Sequence, residues 1–332
     1  GVTGKTIVYL PNWLGDMVMA VPFLYALRKG LRDELWVIGK ESAVHLYNGL
    51  DLFDRFVPVG KGGLSFFIDA GNQLRKMNFA RAIAMPHSFR SALFFCNLRV
   101  REIIGYARNR RGFILSRKIE ENPGIEPTVQ HYLKISDALG VPRAIDAPVL
   151  AITPDEENRF DQEFAHVARP FAVMVVGAQY GPSKCWPAGY FSELADSMIE
   201  KYDLNVYMLP GRDERAIADR VYAGIQRKDR AGILSMNIRD MKVCLSRADV
   251  VVSNDTGPRH VSAALSVPTI VFAGPMDEEY TAYSSPSTRI LSKDMPCRPC
   301  NRKKCEKGHE CMTEIKPQEV AGIVGDIIGK KI

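Results

Sequence analysis

Short apolar runs rich in β-branched residues alternate with amphipathic stretches along almost the whole chain. In the first half the runs fall at residues 6–10, 34–38, 55–59, 79–85 and 103–106, with helical patterns at 17–29 and 64–76 between them. In the second half, runs at 171–176, 205–209, 249–253 and 269–272 alternate with helical patterns at 188–201, 213–226, 239–247 and 257–265. Continuous apolar strands separated by helices are expected of parallel strands buried on both faces. The predicted fold class is therefore α/β, with two doubly wound parallel sheets. The polar, Pro-containing stretch 141–157 is the expected link between them. This gives a first domain over 1–155, a second over 156–316, and a closing helix in 317–332 that is expected to pack back on the first domain. Pro317 stands near the start of that helix, and Val320, Ile323 and Ile327 share one face. Ligands of such sheets bind outside the carboxyl ends of the strands, so the loops that follow strands carry the candidate chemistry.

Composition narrows the classes. A chain of 332 residues suits two domains, and 46% hydrophobic with 25% charged residues is ordinary for globular proteins. Disordered, collagen-like and disulfide-knot classes are excluded. Lys and Arg number 44 against 38 Asp and Glu, a net charge of +6. That mild excess fits an anionic substrate or a membrane surface. Nucleic acid is not expected as a partner, because no basic platform with interleaved aromatics is present. The apolar stretch 8–27 is broken by Pro11, Asn12, Asp16 and Pro22, so it does not read as a membrane span. No leader pattern is legible near residue 1. The seven cysteines are odd in number, and Cys96, Cys185 and Cys244 are scattered, which points to a reducing cytoplasm.

Four strand-to-helix loops hold candidate groups. Pro11-Asn12-Trp13-Leu14-Gly15-Asp16 ends on a carboxylate at a helix start, which reads either as an N-cap or as a general base. Residues 177–187, GAQYGPSKCWP, pair glycines with Lys184, a phosphate-binding combination or a surface lysine in a loop. Residues 253–260, SNDTGPRH, place Asp255 before a helix whose first amides, at Thr256 and Gly257, point toward an anion. Asp255 suits sugar hydroxyls, and His260 reads as a pocket residue or a core histidine. The fourth loop, Leu209-Pro210-Gly211-Arg212-Asp213-Glu214, offers an acidic residue that reads as a ribose ligand or as part of a charged first turn.

Together these loops resemble the lipopolysaccharide heptosyltransferases of inverting glycosyltransferase family 9. The matching segments are LPNWLGDMVMAVP (10–22), MPHSFRSAL (85–93), GAQYGPSKCWP (177–187) and SNDTGPRHVSAAL (253–265). They occur in family order in both halves. Gln179-Tyr180 replaces a hydroxyl pair of type I relatives, which favours the heptosyltransferase II branch, with types I and III as the alternatives. The resemblance implies a GT-B fold, with two Rossmann-like domains facing a cleft. It implies transfer of L-glycero-D-manno-heptose from ADP-heptose to heptosyl-Kdo2-lipid A without a catalytic metal or other cofactor. It assigns Asp16 as the base, and Lys184 with the Thr256 and Gly257 amides to the diphosphate. Asp255 goes to the donor sugar, Asp213 to the ribose, Met236 to the adenine and His260 near the phosphates. Arg259, beside His260, departs from smaller residues in relatives and either touches phosphate or faces solvent. A GT-B nucleotide-sugar epimerase or a non-catalytic sugar-nucleotide binder are the rival readings.

Two features stand apart. Cys297, Cys300, Cys305 and Cys311, with His309 among them, form a compact cluster that reads as a structural zinc site or as thiols. Its irregular spacing favours thiols. Lys61, Arg90, Arg108 and Arg110 supply basic points in the first half. They read as a solvated face or, given the resemblance, as contacts to an anionic lipid A-core acceptor. An acceptor of that kind implies peripheral contact with the inner face of the cytoplasmic membrane, for which Trp13, Phe66 and Phe67 are candidates.

Overall fold

The computed structural model describes residues 4–59 and 63–329. The chain divides into two compact units. One comprises residues 1–151 with 279–284, and the other 152–278 with 285–332. Each unit is built on one six-stranded sheet whose strand pairs are all parallel.

The first sheet contains β1 (Lys5–Tyr9), β2 (Glu34–Gly39), β3 (Arg55–Pro58), β4 (Arg81–Ala84), β5 (Glu102–Tyr106) and β6 (Arg117–Ile119), in the order β3-β2-β1-β4-β5-β6. The second contains β7 (Phe171–Val175), β8 (Asn205–Met208), β9 (Ala231–Ile233), β10 (Val250–Asn254), β11 (Thr269–Phe272) and β12 (Thr288–Leu291), in the order β12-β11-β10-β7-β8-β9. Numbered within its own unit, each sheet has the Rossmann order 3-2-1-4-5-6. Strand order therefore reverses between β1 and β4 in one unit and between β7 and β10 in the other. The loops after those four strands lie where such sheets receive ligands.

The central strands are apolar because helices cover both faces. β7 and β10 are buried along their whole length. Trp186 stacks on Phe272 at 4.4 Å in the core of the second unit, and its indole N–H donates to the Ile315 carbonyl. In the first unit Ile7, Tyr9, Ala82 and Ala84 pack with Phe94 and Phe95.

Three sequence expectations shift. The single helix expected at 17–29 is two, Leu14–Met19 and Val21–Gly30, with Pro22 in the first turn of the second, where its missing N–H does no harm. The expected linker 141–157 runs into a helix, Pro154–Glu163. There Thr153 and Glu156 form a capping box, and the buried Glu156 pairs with the buried Lys242. The closing helix is Pro317–Gly329, and it belongs to the second unit. Its apolar residues join the core that helix Ala188–Tyr202 helps to build, and the Tyr202 hydroxyl donates to the Ala321 carbonyl. The expectation that its apolar face returns to the first domain is corrected accordingly. No helix among the described residues is long and apolar enough to cross a membrane.

Candidate active site

Asp16 follows β1 at the first switch point, in the third position of helix Leu14–Met19. It is not the N-cap: that position is Trp13, and no side chain caps this helix. Among the described residues its carboxylate makes no hydrogen bond or ion pair. Burial alone pushes its pKa up to about 6, against the lowering expected of a carboxylate at a helix start. The buried Tyr132 phenol lies within its electrostatic range, and the Tyr47 hydroxyl donates to the Met17 carbonyl beside it. A carboxylate held this way is a weak acid with a free acceptor face, which is what proton abstraction at neutral pH requires.

The other switch-point loop of this unit follows β4. Arg111, fully buried, donates to the carbonyls of Tyr106, Pro86 and Ser88, tying the loops after β4 and β5 together. Burial draws its pKa down to about 10. The Asn109 amide adds a bond to the His87 carbonyl. His87 packs against His131, which stacks on Tyr106 at 3.7 Å. Burial and the neighbouring His131 and Arg108 pull His87 down to about 4, so it is neutral at physiological pH. Of the expected acceptor contacts, Arg108 is paired with Glu121 and Arg110 is exposed. Lys61 lies outside the described residues, as do the side chains of Arg90, Phe66 and Phe67.

In the second unit, Asn254 ends β10 and fastens the second switch point. Its amide donates to the carbonyls of Val176 and Gly177 at the end of β7 and accepts from the Trp186 N–H. Asp255 follows. Lys184 Nζ stands 3.0 Å from Asp255 Oδ2 and also donates to the Asp255 carbonyl. The Arg259 Nε donates to Asp255 Oδ1 at 2.9 Å. Lys184 is therefore no surface lysine, and Arg259, only 3% exposed, does not face solvent. Burial opposes the Asp255 charge, but Arg259 and Lys184 together hold its carboxyl well below the usual range. His260 is buried beside the cluster and kept neutral by burial and Arg259. Helix Gly257–Ala264 begins at this cluster, with Thr256 as N-cap and no side-chain cap on its first turn. Two cations, one anion and a helix start together leave a net positive locus of the kind that receives a diphosphate.

Met236 stands half-buried in the loop after β9, just before helix Ile238–Arg247. Asp213 is exposed in the turn after β8. The resemblance gives the ribose to Asp213 and not to its neighbour Glu214 in the same loop. The Glu214 carboxylate accepts from the Gly211 N–H and lies over Gly177, where a Cβ would sit 2.2 Å from the carboxyl carbon. Only the lack of a side chain at Gly177 admits it, a signal that a single sequence does not display.

The Cys-rich segment is a brace for the Lys184 loop. The Ser183 N–H and hydroxyl donate to the Lys303 and Arg302 carbonyls, and the Tyr180 hydroxyl to Asn301. His309 Nε2 meets the Ser183 carbonyl at 2.7 Å. Any Cβ at Gly181 would strike the Lys303 carbonyl at 2.5 Å. All four cysteines of the segment are free thiols. Among the described residues, no group of three or more His, Cys, Asp or Glu is arranged to hold a metal ion.

Similarity to known proteins agrees with this layout. Residues 68–310 match the family model of glycosyltransferase family 9 (heptosyltransferase). The lipooligosaccharide heptosyltransferase 2 of Campylobacter jejuni is 25% identical over 95% of this chain and 96% of its own length. The lipopolysaccharide heptosyltransferase 2 of Salmonella typhimurium is 24% identical over the same shares. The solved structure of Escherichia coli ADP-heptose LPS heptosyltransferase II superposes with a TM-score of 0.85 at 20% identity, over 98% of this chain and 99% of that one. The fold is therefore that of GT-B heptosyltransferases, with two Rossmann-like units. Because the family match spans well over half of the residues, this chain belongs to glycosyltransferase family 9.

Proposed function

We propose that the protein is an inverting heptosyltransferase of the type II branch. It moves L-glycero-D-manno-heptose from ADP-heptose to heptosyl-Kdo2-lipid A during assembly of the lipopolysaccharide inner core. The observation that carries the reading is the contrast between the two switch points. One holds a carboxylate able to accept a proton, and the other holds cations around a helix start.

In this mechanism Asp16 takes the proton from the acceptor hydroxyl as that oxygen attacks the anomeric carbon. The bond from that carbon to the ADP oxygen breaks on the opposite face, which inverts the centre. ADP leaves with its charge met by Lys184 and the Thr256 and Gly257 amides. Asp255 orients Lys184 and Arg259 and offers its remaining acceptor capacity to donor-sugar hydroxyls. Glu214 is better placed than Asp213 for the ribose diol, since its carboxylate lies over the end of β7 while Asp213 points into solvent. Met236 lines the adenine, and His260, neutral, stays near the phosphates. Protein cations meet the leaving group, so transfer is expected to persist in excess EDTA. A lipid-anchored acceptor implies that the enzyme works at the inner face of the cytoplasmic membrane.

The test is ADP release from ADP-heptose with and without truncated lipopolysaccharide. Release that depends on the acceptor, with heptose found on the product, is the expected result. Release without acceptor would favour a hydrolase or epimerase. Binding without release would leave a sugar-nucleotide binder.

A further inference from the structure

The two units differ sharply in what they leave exposed. Of the ten large hydrophobic side chains exposed among the described residues, nine belong to the first unit, and only Ile290 lies in the second. Four of the nine follow three neighbouring strands at the carboxyl edge of the first sheet. Trp13, 56% exposed, follows β1; Phe89 and Leu93, 40% and 51% exposed, follow β4; and Phe113, 80% exposed, follows β5. Phe89 and Leu93 are four residues apart on helix Phe89–Asn97 and share a face. The Phe89 and Phe113 rings stand 6.1 Å apart. Their arrangement is built rather than incidental. The buried Arg111 and the exposed Asn109 bind the two loops that present these rings, as described above.

The segment that presents Phe113 is basic. Residues 107–118, ARNRRGFILSRK, carry five basic and no acidic side chains. Arg111 is consumed inside, Arg117 pairs with Glu102, and Arg108 pairs with Glu121. Arg110 and Lys118, on either side of Phe113, are exposed and make no ion pair among the described residues. Aromatic and leucine side chains flanked by free cations suit an anionic bilayer surface. The rings enter the headgroup boundary while the cations meet lipid phosphates. Three side chains cover far less than the roughly 800 Å² per partner of a stable protein interface, which argues against a second copy as the occupant.

We propose that Phe89, Leu93 and Phe113, with Arg110 and Lys118, dock the first unit on an anionic phospholipid surface beside the loop that carries Asp16. The proposal deepens the reading above, because the acceptor it names is anchored in such a surface. Its test does not need turnover. Co-sedimentation is measured with vesicles of equal parts phosphatidylethanolamine and phosphatidylglycerol, and with phosphatidylcholine vesicles as the neutral comparison. The wild type is expected to prefer the anionic vesicles and to release in high salt. Phe89→Ser with Phe113→Ser is expected to weaken binding by about tenfold. Lys118→Glu is expected to lower the preference for anionic vesicles severalfold. The Phe double variant should keep wild-type transfer to a soluble, deacylated acceptor and lose rate only on an acceptor embedded in vesicles. Wild-type protein that ignores anionic vesicles, or a double variant that binds them undiminished, would overturn the proposal. So would light scattering that shows a dimer abolished by Phe113→Ser, since a second copy would then cover the patch. Vesicle binding without acceptor-dependent ADP release would instead count against the transferase reading and leave this one standing.

Discussion

Asp16 and Asp255 each follow a strand at a switch point of a parallel sheet, yet their surroundings drive them in opposite directions. Asp16 has no partner among the described residues, and burial raises its pKa to about 6. Asp255 is more deeply enclosed, but Arg259 and Lys184 outweigh burial and hold it ionised. Desolvation sets the direction only where no cation is in reach. Divergent pKa values in carboxylates of one enzyme separate the group that moves a proton from the group that organises charge. Asp16 is thus suited to accept a proton, and Asp255 to hold two cations for a third, negatively charged party.

The strongest way to break this comparison is to remove the proton acceptor. Asp16→Ala and Asp16→Asn are expected to lower turnover by about 10² to 10⁴-fold. ADP binding, measured by calorimetry, should stay near wild type because the nucleotide groups belong to the other unit. Near-wild-type turnover in Asp16→Ala would make Asp16 a bystander and erase the contrast.

The next largest effect concerns Lys184. If its charge serves the departing diphosphate, Lys184→Ala should lower kcat as well as donor affinity, by about 3 to 4 kcal/mol in the transition state. Lys184→Arg should restore part of the rate, because a planar fork does not reproduce a compact ammonium. Donor KM that rises with kcat unchanged would reduce Lys184 to a ground-state contact.

The pH profile sharpens the comparison within a single protein. The acid limb of kcat/KM should inflect near 6, with a tenfold fall per pH unit below it, as Asp16 protonates. An inflection near 4 would return Asp16 to an ordinary carboxylate. Stability should show the matching signs. The folded-state pKa of Asp16 is raised, so its contribution is fully present below 3.8 and is lost as pH rises through about 6. Asp16→Asn should remove that decline and gain about 1 to 2 kcal/mol at neutral pH, after allowance for partial exposure. The pKa of Asp255 is depressed, so its contribution is present above 3.8 and is lost only as pH falls below that value. Urea unfolding of wild type and Asp16→Asn from pH 4 to 8 reads the Asp16 slope, and extending the wild-type series below pH 3.8 reads that of Asp255.

What was legible in the sequence follows the same physics. Central strands such as β7 and β10 carry unbroken apolar runs because helices bury both faces, and these runs were readable directly. The strands that escaped are β6, β9 and β12, each at the edge of its sheet. β6 reads Arg117-Lys118-Ile119 and is exposed at its first two positions, while β12 is exposed at both middle positions. Edge strands keep polar side chains and lose the apolar signal. At the site, Asp16, Lys184 and Asp255 stood out because their loops follow legible strands. Glu214 stood in such a loop as well, but nothing set it apart from Asp213, because its placement depends on space above Gly177, 37 positions earlier in the chain. The pairing of Lys184 with Asp255 crosses 71 positions and was equally invisible.

The smallest effect expected is at His309, and it tests whether the ordered charge cluster depends on its brace. The Ser183 carbonyl can only accept, so His309 must carry its proton on Nε2 to make the 2.7 Å contact. That bond joins the Cys-rich segment to the residue just before Lys184, and the backbone at His309 is left-handed with φ of 63°. A neutral hydrogen bond contributes about 1 kcal/mol, so His309→Ala should raise donor KM about fivefold with a smaller change in kcat. His309→Gln, whose amide can donate from a similar reach, should recover most of that loss. The segment also packs Met312 against Gly274 and adds Trp186 to Ile315, so a purely structural role predicts lower melting temperature with unchanged KM in both variants. Donor KM that follows the ability of residue 309 to donate, at equal thermal stability, would place the brace in service of Lys184. Asp16 makes no such bond among the described residues, and burial alone raises its pKa.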